Sequence, residues 1–502
     1  MILPLAYLVL RTMGVGTEVW DLLFRSRTLD ILIRSALLVV AVTGASVAIA
    51  VPLAWLTVRT DLPFRGLWSV ITVLPLVIPS YVGGFLVVVA LGPKGVLQGW
   101  LAPLGVDRLP EIFGFPGAML TLTLLSYPYV LLPARVALGR MDPSLEETSR
   151  SLGKGPWSTF RHITFPLLRP AIAAGALLVA LYTLSDFGAV SLLHYETFTW
   201  AIYIQYGYFA RDLAAALSLV LVALALGILI LETRTRGRSQ YHRSTTGVVR
   251  PPAKFRLGRW RWPALALCTT VVLISLVMPV AVLVYWVLRG ISAGEPMLLL
   301  WSHARNSLYV SGLAAVVAVV AALPIATLTV RYPSRISGLL ERISYIGFAL
   351  PGIVVALALV FFGIRYATPL YQTLGLLIFA YAVLFLPTAV GAARTSLLQV
   401  NPMIEDAARS LGKTPWQVFA TITFPLVRPG VLAGAAMVFL LAMKELPATL
   451  ILSPIGFKTL ATSIWGATED GFFAQAAAPA LLLILASSIP MALLVLRGDR
   501  KV

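Results

Sequence analysis

Eleven stretches of this chain are long, apolar and almost free of charge, and no other feature constrains its fold so strongly. They run at about 35–57, 66–92, 116–139, 168–193 and 213–231, then at about 263–288, 306–330, 343–363, 373–393, 428–452 and 475–496. Each approaches the ~20 apolar residues that a helix needs to cross a hydrocarbon core ~30 Å thick. Lipid offers no hydrogen bonds, so a crossing segment must satisfy its own backbone, and helices do this. The expected fold class is therefore all-α: a polytopic membrane protein. Met1–Leu10 is a short apolar segment that makes a twelfth, N-terminal helix, and no basic n-region precedes it as in a signal peptide. Composition agrees: 59% of residues are hydrophobic and 12% charged, with a mean hydropathy of +0.89. Soluble domains carry about 25% charged residues, so a soluble enzyme, a disordered scaffold and a secreted disulfide framework are all excluded. Cys268, the single cysteine, leaves no internal disulfide and no multi-cysteine metal site.

The net charge is +18, from 39 Lys and Arg against 21 Asp and Glu. Alternate loops collect it: 27 of the 39 fall in 57–66, 135–170, 232–262, 331–342, 394–428 and 497–501. Basic loops are retained on the cytoplasmic side during insertion, so these segments are expected to face the cytoplasm. Nine basic residues lie between Arg234 and Arg261, around Pro251 and Pro252. That run reads as a cytoplasmic linker, 234–261, held against anionic headgroups, and not as a nucleic-acid site. It separates two transmembrane domains, 1–233 and 262–502.

The two domains repeat. Pro52–Arg59 (PLAWLTVR) matches Pro324–Arg331 (PIATLTVR), and Glu146–Pro170 matches Glu405–Pro429 at 16 of 25 positions. Both members of the better pair fall in basic loops, so the repeat is parallel. Parallel repeats imply a pseudo-two-fold axis along the membrane normal.

The repeated loop has a readable structure. Pro143 and Pro402 suit the first turn of a helix, and Glu146, Glu147, Glu405 and Asp406 follow where the helix dipole favours acids. Gly153 and Gly412 end that helix. A second short helix follows, with Trp157, Phe160 and Ile163 (and Trp416, Phe419 and Ile422) on one stripe, before a proline opens the next span. An apolar stripe on a polar loop calls for a partner, either headgroups or a groove on another protein. Gly412-Lys413-Thr414 is not the end of a nucleotide-binding loop. The required first glycine is Ala407, no strand precedes it, and the other copy reads Gly153-Lys154-Gly155.

These loops resemble the signature of permease subunits of binding-protein-dependent ABC importers: EAA, three residues, Gly, nine residues, then I-x-L-P. The copies are Glu147-Thr148-Ser149 with Gly153, Ile163 and Pro166, and Asp406-Ala407-Ala408 with Gly412, Ile422 and Pro425. Phe165 and Phe424 stand where the signature has leucine. The resemblance implies about 12 helices in two type I importer halves fused in one chain, in the inner membrane of a prokaryote. It implies two coupling helices, carried by Glu146, Glu147, Gly153, Trp157 and Phe160 and by Glu405, Asp406, Gly412, Trp416 and Phe419. Each would dock on one of two copies of a separate ATPase subunit. ATP and magnesium would then belong to those partners, with no cofactor, metal or catalytic residue in this chain. A substrate-binding protein would deliver cargo at the outer face.

Polar groups inside spans are costly and point to function. Asp186 and Glu445 are repeat equivalents followed by Gly188 and Pro447, and Lys444 adjoins the second. They are candidates for a pathway or gate, or for a structural joint at a helix break. Ser185–Leu193, Tyr195–Thr199, Lys444–Pro454 and Gly456–Ala461 resemble the ferric-iron branch of the family. The four histidines have no ligand spacing. Permeases for thiamine, sulfate or polyamines, and a secondary transporter, remain alternatives.

Overall fold

A computed structural model describes residues 2–13, 26–93, 95–105, 109–208, 210–235, 255–294 and 301–499. Most of the linker, 236–254, therefore lies outside the described residues. Among those described, the chain is helical, with ten helices long and apolar enough to span a bilayer. The one non-helical pairing is an isolated parallel bridge between Thr60 and Phe255.

The helices gather into two compact units, each drawing on both halves of the sequence. One comprises Ser26–Trp200, Ala223–Arg289 and Ala492–Val502; the other comprises Met1–Arg25, Ala201–Val222 and Gly290–Met491. Each is built on the same trio. In the first unit, Ser26–Arg59 packs on Pro128–Arg140 and Phe165–Ser185. In the second, Trp301–Arg331 packs on Leu374–Leu398 and Phe424–Met443. Small side chains draw the helices together: Ala315, Ala318 and Ala322 meet Ala389, Val390 and Val438 in one buried cluster. A Cβ at Gly175 would lie 2.6 Å from the Val130 Cα, and one at the equivalent Gly434 would lie 2.8 Å from the Ala392 Cβ. Such close approach lets dispersion hold helices whose surroundings are as apolar as their cores. Large residues turn outward instead, Leu29, Ile33, Leu37 and Val40 on Ser26–Arg59 among them.

Several expected spans are not continuous helices: 168–193 breaks after Ser185 and 428–452 after Met443, and two more divide at turns. The 66–92 window divides into Arg65–Ile71, a turn at Leu74–Val77, and Ser80–Leu91. The 343–363 window divides into Arg335–Tyr345, a turn at Ile346–Ala349, and Gly352–Tyr366. Proline is the cause: Pro79 and Pro351 push Ile78 and Leu350 into extended backbone at ψ 120° and 111°. Gly352–Tyr366 has 15 residues, about 22 Å of helix, too short to cross alone. The N-terminal segment forms a helix, Ile2–Met13, that packs on Gly352–Tyr366 with Tyr7 and Phe361 stacked at 5.8 Å.

Candidate functional site: the paired loops

Each loop begins with a capped helix. Asp142 accepts from the Ser144 N–H and Asn401 from the Met403 N–H, both at 3.0 Å, opening Pro143–Ser151 and Pro402–Ser410. Both helices end in the same six-residue closure. Gly153 N–H donates to the Arg150 carbonyl and Lys154 N–H to that of Ser149; Gly412 and Lys413 repeat this on Arg409 and Ala408. The glycines adopt φ of +78° and +87°, left-handed values that a Cβ disfavours.

The chain then re-enters a helix at Pro156 and Pro415. The sequence suggests a second short helix that stops before the span; instead the helix continues into it. Phe160–Thr164 and Phe419–Thr423 form a π-turn, and Phe165–Ser185 and Phe424–Met443 follow without a break. Pro166 and Pro425 explain this widening, because each lacks an N–H and its ring crowds the carbonyl four residues back. The wider turn lets Phe165 and Phe424 donate to the carbonyls of Phe160 and Phe419, five residues back.

Inside each loop lies a clamp that the motif alone does not disclose. Glu146 is buried, ion-paired with Arg59 and accepting from the Thr164 hydroxyl at 2.7 Å. Arg59 ends the long helix Ser26–Arg59, and its side chain is wholly excluded from solvent. Glu405 repeats this arrangement. It accepts from Arg331 Nε and Nη2 at 3.1 and 2.9 Å and from Thr423 at 3.0 Å, while Arg331 also donates to the Val400 carbonyl. Removing one partner of such a buried pair costs about 3–5 kcal/mol, because the other is left charged and unpaired. Arg59 and Arg331 were visible in the sequence as the matched ends of PLAWLTVR and PIATLTVR.

The outward faces carry the other candidates. Glu147 is exposed; Asp406 is exposed and pairs with Arg409 at 3.1 Å. Trp157 is 74% exposed and stacks on half-buried Phe160 at 5.6 Å; Trp416 is 73% exposed and stacks on Phe419 at 5.7 Å. Leu152 and Leu411 are exposed beside the glycine turns. Each loop thus presents an aromatic and aliphatic knob backed by a rigid, buried ion pair. That geometry suits docking in a groove and transmitting force.

The acids of the spans lie at helix breaks. Asp186 follows Phe165–Ser185, accepts from the Ala189 and Val190 N–H groups at 3.0 and 3.3 Å, and lies beside Ser80. Glu445 accepts from the Ala448 N–H at 3.3 Å. Its carboxylate packs on Gly352, where a Cβ would come within 2.3 Å of Oε1. Half-buried Lys444 precedes it. Each carboxylate therefore joins the starts of two short helices, Gly188–Leu192 and Ser80–Leu91 in one unit, Pro447–Leu452 and Gly352–Tyr366 in the other. Helix starts favour negative charge.

A duplicated helical body with ten bilayer-length helices and a matched loop in each copy defines a polytopic membrane protein. The chain belongs to the family described as binding-protein-dependent transport system inner membrane component, which matches residues 46–234 and again 313–501. It is 39% identical over 498 residues to the Fe(3+)-transport system permease protein FbpB 2 of Haemophilus influenzae, covering 98% of this chain and 95% of that protein. It is 26% identical over 448 residues to the ferric transport system permease protein FbpB of Actinobacillus pleuropneumoniae, covering 83% of this chain and 64% of that one. The molybdenum transport system permease protein ModB of Escherichia coli is 36% identical over 142 residues, 27% of this chain and 58% of that protein. The chain is accordingly a fused two-domain permease of the inner membrane, a transport subunit and not an enzyme.

Proposed function

We propose that this permease carries ferric iron, received from a binding protein at the outer face, and that two copies of a separate ATPase drive it. The observation that supports the coupling role most is the clamp within each loop. An exposed Trp stacked on a half-buried Phe is tied through Glu146 to Arg59, and through Glu405 to Arg331, at the ends of the longest helices of their units. A knob pulled by a closing ATPase dimer then moves the span end with it, since separating the pair would strand a charge in the interior. Glu146 and Glu405 act from within, whereas Glu147, Trp157, Asp406 and Trp416 meet the partner. Gly153 and Gly412 set the angle between the two helices of each loop. ATP and magnesium stay on the partner. Iron is favoured over other cargo because the iron-transport relative matches end to end, while the molybdenum relative matches 142 residues.

Asp186 and Glu445, with Lys444 beside the second, hold the short helices at the helix breaks, which would line and gate the path. Vesicle uptake tests the whole reading. Ferric uptake that requires ATP, an ATPase partner and a binding protein supports it. Uptake driven by an ion gradient without ATP, or ATP-driven uptake of molybdate in place of iron, overturns it.

A further inference from the structure

Beside the first loop lies a cavity of about 660 Å³ with no assigned role. Its walls are the end of Ser26–Arg59 (Trp55), the first loop (Arg150, Phe160), the last linker residues (Phe255, Arg256) and the start of Arg261–Val272 (Ala264). The linker end is tied down there. Phe255 N–H donates to the Arg59 carbonyl at 2.8 Å, Asp61 N–H to the Phe255 carbonyl at 3.2 Å, and Leu257 N–H to Asp61 Oδ1 at 2.8 Å. The Arg150 guanidinium lies 4.3 Å above the Phe255 ring. The volume falls within the range of sites that take small molecules.

Three features say what fills it. First, Trp260 and Trp262 are 63% and 76% exposed at the start of the span that follows. Exposed tryptophans at a span end sit at headgroup level, so the cavity mouth lies there too, and Trp260 itself lines it. Second, the charge around it is cationic. Arg150 and exposed Arg256 line it, Arg259 and Arg261 adjoin it, and the acids are engaged: Glu146 with Arg59 and Asp61 with the Leu257 N–H. Exposed Glu147 lies on the same helix as Arg150 and does not line it. Third, the remaining wall is aromatic and aliphatic, continuous with the bilayer-facing span Gly258–Ser292. The second loop differs: Arg409, the counterpart of Arg150, turns to Asp406 instead.

We infer that this cavity is a binding site for one anionic phospholipid, its phosphodiester between Arg150 and Arg256 and an acyl chain along Ala264 and Leu267. Basic recesses between spans on the cytoplasmic side have the chemistry for such headgroups. The lipid would wedge the linker end against the first loop only, so the two loops would differ in their dependence on membrane composition.

The test is native mass spectrometry of the purified full chain, equilibrated in mixed micelles with equal phosphatidylglycerol and phosphatidylcholine. The wild type should retain phosphatidylglycerol selectively. Arg256→Gln, an exposed change that leaves the fold alone, should lower retention on the order of tenfold, the scale of one charge-assisted hydrogen bond. Ala264→Phe should lower retention by obstructing the wall along which the acyl chain lies, and Arg409→Gln should leave retention unchanged. Equal retention of the two lipids, retention unaffected by Arg256→Gln, or displacement by free glycerol phosphate would each overturn the inference.

Discussion

Replacing Glu146 with leucine isolates what the clamp is worth. The Arg59 side chain has no exposure to water, and its carboxylate partner is almost as deeply buried. Removing the acid leaves a guanidinium in the interior without a counter-charge, at a cost of about 3–5 kcal/mol. The Thr164 hydroxyl also loses its acceptor, adding about 1 kcal/mol. The companion Arg59→Met with Glu146→Leu removes both charges and fills similar volume, so most of the loss should return, giving a coupling energy of about 2–4 kcal/mol. Glu405→Leu should cost less, because Arg331 keeps the Val400 carbonyl and is 10% exposed. Large membrane proteins unfold irreversibly, so the comparison is best made as thermal midpoints at one heating rate, read by size-exclusion fluorescence. The expected order of midpoints is wild type, double variant, Glu405→Leu, then Glu146→Leu lowest. A Glu146→Leu variant as stable as wild type, or a double variant no better than the single, would refute a buried and obligatory pair.

The remaining expectations concern other parts of the loops. Ser149→Ala alone strands the buried Thr159 hydroxyl, which lies 3.0 Å from the Ser149 hydroxyl, and should cost about 1–2 kcal/mol. Ser149→Ala with Thr159→Val reproduces the buried Ala408 and Val418 of the other copy and should restore the wild-type midpoint. Gly153→Val with Gly412→Val meets open space at both sites but positive φ. The strain, about 1–2 kcal/mol per residue, should misorient the loops and lower transport per ATP in proteoliposomes; an unchanged ratio would count against the glycine turns setting the loop angle. Trp416→Ala should abolish co-purification with the ATPase without moving the thermal midpoint, because the ring is 73% exposed; a lowered midpoint would mean that the ring supports the fold instead.

Span positions, the duplication and the glycine turns were legible in the sequence because each has a local cause: an apolar window, a matched string, a residue suited to φ above zero. Continuity was not. The 66–92 and 343–363 windows are largely apolar, and only prolines, Pro75 and Pro79 in the first and Pro351 in the second, betray the breaks. The π-turns were hidden for the opposite reason: Pro166 and Pro425 suggest a stop, yet one wider turn absorbs them. Neighbouring acids also looked alike. Glu146 and Glu147 differ by one position on a helix, about 100°, which sends one inward to Arg59 and the other to solvent. Nor did any local pattern foretell that Ala201–Val222 groups with the second half.

The two copies serve as each other's mutants, and their differences are paired. Ser149 and Thr159 become Ala408 and Val418, so a buried hydrogen bond is exchanged for an apolar contact with both partners changed. At the helix break, Ser80 with Asp186 becomes Gly352 with Glu445. The longer acid occupies the space from which the side chain is missing. Either change made singly would strand a polar group or force a clash. The clamp, by contrast, is the same in both copies: Arg59, Glu146 and Thr164 against Arg331, Glu405 and Thr423. Where chemistry was free to change, geometry was kept. Where chemistry was kept, a neutral pair of equal volume would have held the fold, so stability alone does not account for retaining two buried charges. A charged pair adds resistance to sliding, since displacement by an ångström or two breaks hydrogen bonds that nothing nearby replaces. That property fits the coupling role proposed for the loops. Gly352→Ser with Glu445→Asp, which transplants the first break into the second, should therefore fold and transport normally, although Gly352→Ser alone clashes with Oε1.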